Sequence, residues 1–220
     1  MSILVRERFT QKILGVKQKV LKMGALVENI IDASVTALKT QDLDLARNVI
    51  EKDDEIDQLE LEIEKECMML LALQQPLAKD LRTIASVLKI ITDLERMGDN
   101  AVNIAEVILE IGEEPIMKSL KDIPRMADIA QKMLKMSLDA FVNEDIALAV
   151  KAAERDEDVD RLYETVINDI LNTITEKREL TKQGTKLLFL GRYLERIADH
   201  STNICERTIY MITGELKEIN

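Results

Sequence analysis

Apolar residues along this chain fall at helical spacing in a few long stretches, and the breaks between them are short. A first stretch runs from about Arg6 to Thr40, a second from Leu43 to Leu73 and a third from Leu77 to Ile111, separated by Gln41-Asp42 and by Gln74-Gln75-Pro76. Pro76 falls at or near the start of its helix, where its missing amide costs nothing. Gly112-Glu-Glu-Pro115 ends the third stretch, since glycine closes helices well and proline cannot continue them. Three further stretches follow, from about Pro124 to Phe141, Asp145 to Ile174 and Thr181 to Thr213, with Gly214 closing the last. Such short connections make neighbouring helices antiparallel.

The second set of three repeats the first. Moving Met23–Leu38 by 103 positions lands apolar residues on apolar residues and carries Gln41-Asp42-Leu43 onto Glu144-Asp145-Ile146. The same shift takes Asp53 and Asp57 to Asp156 and Asp160. Beyond the next turn the shift becomes 100, and in the window 94–106 seven of thirteen residues then agree, against about one by chance. The expectation is therefore an all-α chain built as two tandem, internally duplicated up-down three-helix bundles, residues 1–112 and 113–220.

Composition supports helices. The 220 residues include only seven glycines and three prolines, too little turn material for a many-stranded sheet. A net charge of −11 argues against nucleic acid as a direct partner, because binding a duplex needs a basic face. The longest apolar run, Cys67–Leu73, is far short of the ~18 residues of a membrane span. Met1–Phe9 carries Arg6, Glu7 and Arg8 with no apolar signal core, and Cys67 and Cys205 are isolated, so a cytoplasmic chain with reduced core thiols is expected. The ten methionines, Met68, Met69, Met97, Met126, Met133 and Met136 among them, read as gap-filling core.

The acids are placed unusually. On the third helix Glu95, Asp99, Asn103 and Glu106 share a stripe that borders the core-facing residues instead of opposing them. Glu195, Asp199, Asn203 and Glu206 repeat it. On the middle helices Asp53 and Asp57 flank the seam of Val49, Ile56, Ile63 and Cys67, and Asp156 and Asp160 stand likewise beside Val159 and Ile170. If the middle and third helices of each bundle are adjacent, four carboxylates converge on one groove, where a multivalent cation would relieve their repulsion, with Asn103 and Asn203 as further oxygen ligands and Glu106 and Glu206 supporting the ligands from behind. Oxygen-only ligands favour hard cations such as Mg, Mn, Ca or ferric iron. Glu60, Glu62, Glu64 and Glu66 read as a solvated face. Arg96 and Arg196 pair most simply with Asp99 and Asp199, with orientation of the ligating acids as their other use. His200, the single histidine, reads as exposed or bonded to its own helix. No glycine-rich phosphate loop, GxSxG or Glu-x-x-His pair is present, so catalysis is not expected.

The duplicated bundle, with Asp93-Leu-Glu95-Arg96-Met-Gly-Asp99-Asn-Ala-Val-Asn103-Ile-Ala-Glu106 and Tyr193-Leu-Glu195-Arg196-Ile-Ala-Asp199-His-Ser-Thr-Asn203-Ile-Cys-Glu206, resembles the PhoU family from about Phe9 to Gly214. The resemblance implies a non-catalytic cytoplasmic regulator of phosphate uptake, often a homodimer. Such proteins link the phosphate ABC transporter ATPase to a sensor histidine kinase and restrain the starvation response when phosphate is plentiful. It also implies metal clusters of iron, zinc, manganese or magnesium on E(D)xxxD motifs, which here are Asp53/Asp57, Glu95/Asp99, Asp156/Asp160 and Glu195/Asp199. Asn100 stands where many relatives carry His, and Cys205 where Ala is usual. A helical metal-binding scaffold with a different partner is the alternative within the same family.

Overall fold

The computed structural model describes residues 3–73, 76–117 and 121–219; Gln74 and Gln75 of the second expected break lie outside the described residues. Every regular element is helical: α1 (Ile3–Thr40), α2 (Leu43–Leu73), α3 (Ala78–Ile111), α4 (Ile123–Asn143), α5 (Ile146–Ala153), α6 (Asp156–Glu176) and α7 (Thr181–Thr213), with a 3-10 turn at Arg178–Leu180 before α7. The all-α class read from the spacing is the one the chain adopts.

The repeat extends to the turns. Gln41 takes a left-handed conformation at φ 53° and is followed by Asp42, whose side chain accepts the Leu45 amide at 2.9 Å. Glu144, at φ 54°, is followed by Asp145, which accepts the Leu148 amide at 3.0 Å. Each pair ends one helix and caps the next, satisfying a donor that the first turn leaves free. Gly112 and Gly214 also have positive φ, and their amides bond back to the Ile108 and Tyr210 carbonyls. Two boundaries differ from expectation. α4 begins at Ile123 and continues to Asn143, and the expected single helix from Asp145 to Ile174 is broken at Glu154-Arg155. The Arg155 amide bonds the Ala152 carbonyl, and the Arg155 carbonyl takes the Asp158 amide, a tightened turn that redirects the chain. The cause is packing. Ala149, Ala152 and Ala153 are fully buried against Ala140 and Cys205, so α5 lies close to α4 and α7, whereas α6 is spaced by Val159, Val166 and Ile170.

α1, α2 and α3 pack on one another, as α4 through α7 do, and the two sets meet along α3 with α7 and α1 with α4. One contiguous apolar core runs through both halves, with Leu94, Ile104, Leu194 and Ile204 fully enclosed. The seam is antiparallel: the Arg82 Nε reaches the Met211 carbonyl at 3.3 Å, and the Lys186 Nζ reaches the Glu110 carbonyl at 2.7 Å. Met97, Met126 and Met133 fill the core as expected, while Met68 and Met69 are exposed on α2 instead. Both cysteines are buried, and burial pushes each thiol up to about 12, which leaves them inert.

Candidate metal centre

The adjacency that the acid stripes require is present, since α2 packs on α3 and α6 on α7. Asp53 lies on the face of α2 that meets α3. A Cβ on Gly98 would stand 2.9 Å from Asp53 Oδ1 and 3.3 Å from Ile56, so the glycine makes room for the carboxylate. Burial, then the charges of Asp57 and Asp99, pushes Asp53 up to about 6. Burial, then Asp99, Glu60 and Asp57, pushes Glu95 up to about 7, and Asp99 is raised by burial and then by Asp57. In the second half, burial and then Asp199 push Glu195 up to about 7, with Asp160 and Asp156 adding to it and Arg192 opposing. Asp199 is raised by burial and by Asp160, against Arg192, His200 and Arg196. Two acid quartets, Asp53/Asp57/Glu95/Asp99 and Asp156/Asp160/Glu195/Asp199, therefore form, each with members that act on one another; burial is the leading cause of each raised carboxyl and mutual repulsion adds to it.

The flanking residues are arranged differently from the expectation. Arg96 and Arg196 are exposed and form no ion pair within 4.0 Å with Asp99 or Asp199, acting on those acids only at longer range. Arg192, which the repeat did not single out although it stands three residues before Glu195, pairs with Glu195 Oε1. Glu195 Oε2 is buried without a hydrogen-bond partner. The Asn103 amide nitrogen donates to the Asp99 carbonyl at 2.8 Å, whereas that of Asn203 donates across the seam to Asp93 Oδ1 at 3.2 Å. Glu106 is exposed, and Glu206 accepts the Ile219 amide at 3.0 Å, holding the C-terminal segment. Glu60 is half-buried against α3, accepts the Thr92 hydroxyl at 3.2 Å and is raised by burial, so it belongs beside the first quartet and not to a solvated face. His200 is neither exposed nor tied to its own helix: it is buried, with Nδ1 donating to Asp93 Oδ1 at 3.0 Å.

Donor chemistry fits a hard cation, since both quartets offer only oxygen and one buried oxygen of Glu195 has no partner. A cavity of about 440 Å³ beside the second quartet is lined by Asp156, Asp199, Asn203 and Glu206. Among the described residues, however, no three acidic, histidine or cysteine side chains already stand as a ligand set for one ion. Binding would turn the exposed Asp57, Asp99 and Asp160 inward.

The raised carboxyls set the pH dependence of the metal-free chain. Asp53, Glu95 and Glu195 hold protons to about 6–7 when folded but only to about 4 when unfolded. Between those values the folded state binds more protons, so stability falls as pH rises and levels off above about 7. Allowing about 1 kcal/mol per carboxyl after solvent screening, the melting temperature in chelator drops by roughly 5–10 °C between pH 5.5 and 8. A flat or rising profile by circular dichroism would contradict the strained quartets.

Comparison with known proteins places these quartets in a family. The model of the PhoU domain matches residues 20–108 and again 123–208. The chain belongs to the PhoU family. Each matched PhoU segment contains one quartet, so the duplication in the sequence is a duplication of the domain. The phosphate-specific transport system accessory protein PhoU homolog of Clostridium acetobutylicum is 41% identical over 218 residues, covering 99% of this chain and 100% of its own length. The homolog of Aquifex aeolicus is 42% identical over 200 residues, or 91% of this chain and 90% of its own. The crystal structure of PhoU from Pseudomonas aeruginosa superposes with a TM-score of 0.91 at 36% identity, over 94% of this chain and 100% of that one. The phosphate transport system regulatory protein PhoU from Streptococcus pneumoniae gives 0.89 at 33%, over 95% and 99%. PhoU proteins are accessory and regulatory proteins, not enzymes. No helix among the described residues is long and apolar enough to cross a membrane.

Proposed function

We propose that this protein is a cytoplasmic, metal-binding regulator of phosphate uptake that links the ATPase of the phosphate ABC transporter to the sensor histidine kinase. In this reading it represses the phosphate-starvation response while phosphate is plentiful, and it works as a homodimer. The names of its relatives support the transport role. The observation that carries the metal role is the recurrence of a strained quartet at the same helix pair in both PhoU segments.

A bound cation, whether iron, zinc, manganese or magnesium, would supply the positive charge that each quartet lacks. Asp53, Asp57, Glu95 and Asp99 would hold it in the first half, and Asp156, Asp160, Glu195 and Asp199 in the second. Arg192 fixes Glu195 by one oxygen and leaves the other free to ligate. The exposed residues of each quartet open onto the surface, where a partner that prefers one arrangement of these helices would shift its population.

Affinity purification from the protein's own cells, grown in high phosphate and read by mass spectrometry, tests the regulatory role. Recovery of the transporter ATPase or the sensor kinase is expected. Clean recovery of neither favours the alternative, a PhoU scaffold serving a different partner.

A further inference from the structure

A groove of about 280 Å³ lies between α1 and α2, about 20 Å along α2 from Asp53 at the rise of a helix. It is lined by the buried Val16 and Leu70, by Gly15 and Met69, and by Lys12 and Lys19, the latter paired with Glu66. Gly15 is unexplained by the chain itself. It sits inside a long helix, and a Cβ built there meets nothing within 4 Å. Alanine would fit and would favour the helix by about 1 kcal/mol. No internal contact requires the glycine, and its bare backbone leaves room for a side chain from outside to approach the helix closely. The surroundings are apolar and open: Leu14, Met68 and Met69 are 46%, 55% and 45% exposed.

Charge is segregated at the same place. The first 22 residues carry six cations and a single anion in a chain whose net charge is −11. Arg8, Lys12, Lys19 and Lys22, with Gly15 among them, follow one another at spacings of four and three, so they form one stripe of α1. Lys19 is held by Glu62 and Glu66 at 2.5 and 2.6 Å. Arg8, Lys12 and Lys22 are exposed, with no ion pair among the described residues.

We propose that this groove receives an acidic amphipathic helix of a partner protein. Its apolar side chains would pack on Gly15, Leu70 and the adaptable Met69, and its carboxylates would face Arg8, Lys12 and Lys22. A flat anionic lipid surface fits less well, because the groove is a concavity between two helices that a plane cannot enter. The surface is separate from the acid quartets and needs neither metal nor phosphate.

The test is fluorescence anisotropy in chelator. The probe is a labelled amphipathic peptide of about 18 residues with leucine on one face and glutamate on the other, set against its lysine-for-glutamate twin and anionic phosphatidylglycerol vesicles. The acidic peptide should bind the wild-type chain at least about tenfold more tightly than the twin. Gly15→Leu, and separately Lys12→Glu with Lys22→Glu, should each weaken it at least about tenfold, with the melting temperature of Gly15→Leu at or above the wild-type value and the helical circular dichroism of both unchanged. The proposal is overturned by no binding of the acidic peptide, by equal binding of the twin, by indifference to either variant, or by vesicles taking the peptide's place. None of these outcomes depends on whether the transporter ATPase or kinase co-purifies, so failure of the phosphate reading stays distinguishable.

Discussion

Replacing Glu95 and Glu195 together by glutamine should lower the metal content expected of the proposed sites and, in chelator, make the protein more heat-stable at pH 8 than the wild type. The two effects have one origin. Each quartet sets four carboxylates along the seam of two packed helices, some enclosed and some at the surface, and Glu95 and Glu195 are the members pushed up to about 7, by burial first and then by neighbouring acids. Glutamine keeps the shape but removes one charge from each quartet, so the remaining three acids repel less and the apo fold gains. The same change removes a ligand and part of the attraction for a cation, and we expect an affinity loss of about 100-fold per site, near 2.7 kcal/mol. Elemental analysis of the purified variant should therefore show most of its metal lost. Apo melting at pH 8 should rise by roughly 4–8 °C, at about 1 kcal/mol of strain per carboxyl after screening. If the acids merely solubilised a scaffold, metal content would not change and the melting temperature would move little. Undiminished metal removes the site assignment.

Much of this was legible in the sequence because the repeat makes each half check the other. α7 begins and ends at Thr181 and Thr213 as the apolar spacing and Gly214 require, and the paired turns at Gln41-Asp42 and Glu144-Asp145 are capped alike. The acid stripes depend only on helical phase and on two helices being neighbours, both of which short loops nearly dictate. What could not be read depends on contacts between elements far apart in the chain. The break before α6 follows from how closely the alanine face of α5 approaches α4 and α7, and an alanine-rich stretch alone looks like good helix. Glu60 reads as part of a solvated face because it stands among other glutamates and Tyr163 holds its place in the second copy, yet the fold of the first copy sets it against Thr92. Arg96 and Arg196 had the right spacing to pair with their aspartates, but both side chains turn to solvent while Arg192, one turn earlier, takes Glu195.

The largest effect on the fold itself should come from Asp93, which helical phase alone gives no special role. Its Oδ1 accepts both the His200 imidazole at 3.0 Å and the Asn203 amide at 3.2 Å, so one buried carboxylate of α3 ties two side chains of α7 and with them the two halves. The repeat gives no second copy of this tie, since Tyr193 stands where Asp93 would recur and Asn100 where His200 would. Asn100 turns instead to its own helix, donating to the Arg96 carbonyl at 2.7 Å. Asp93→Ala leaves the buried His200 and the half-buried Asn203 without their acceptor, and at about 1–3 kcal/mol for each orphaned donor the two together should cost about 3–5 kcal/mol. Melting should fall by roughly 6–15 °C on that basis. The penalty belongs to the orphaned donors more than to the pair, so Asp93→Leu combined with His200→Leu should recover part of it, with a coupling energy of about 1–3 kcal/mol in a double-mutant cycle. Strict additivity of the two single changes would show that Asp93 and His200 do not act as a unit. A recovered melting temperature would show that the cost lies in the orphaned donors, and that the apolar seam with the Arg82–Met211 and Lys186–Glu110 bonds holds the two PhoU segments together without this tie.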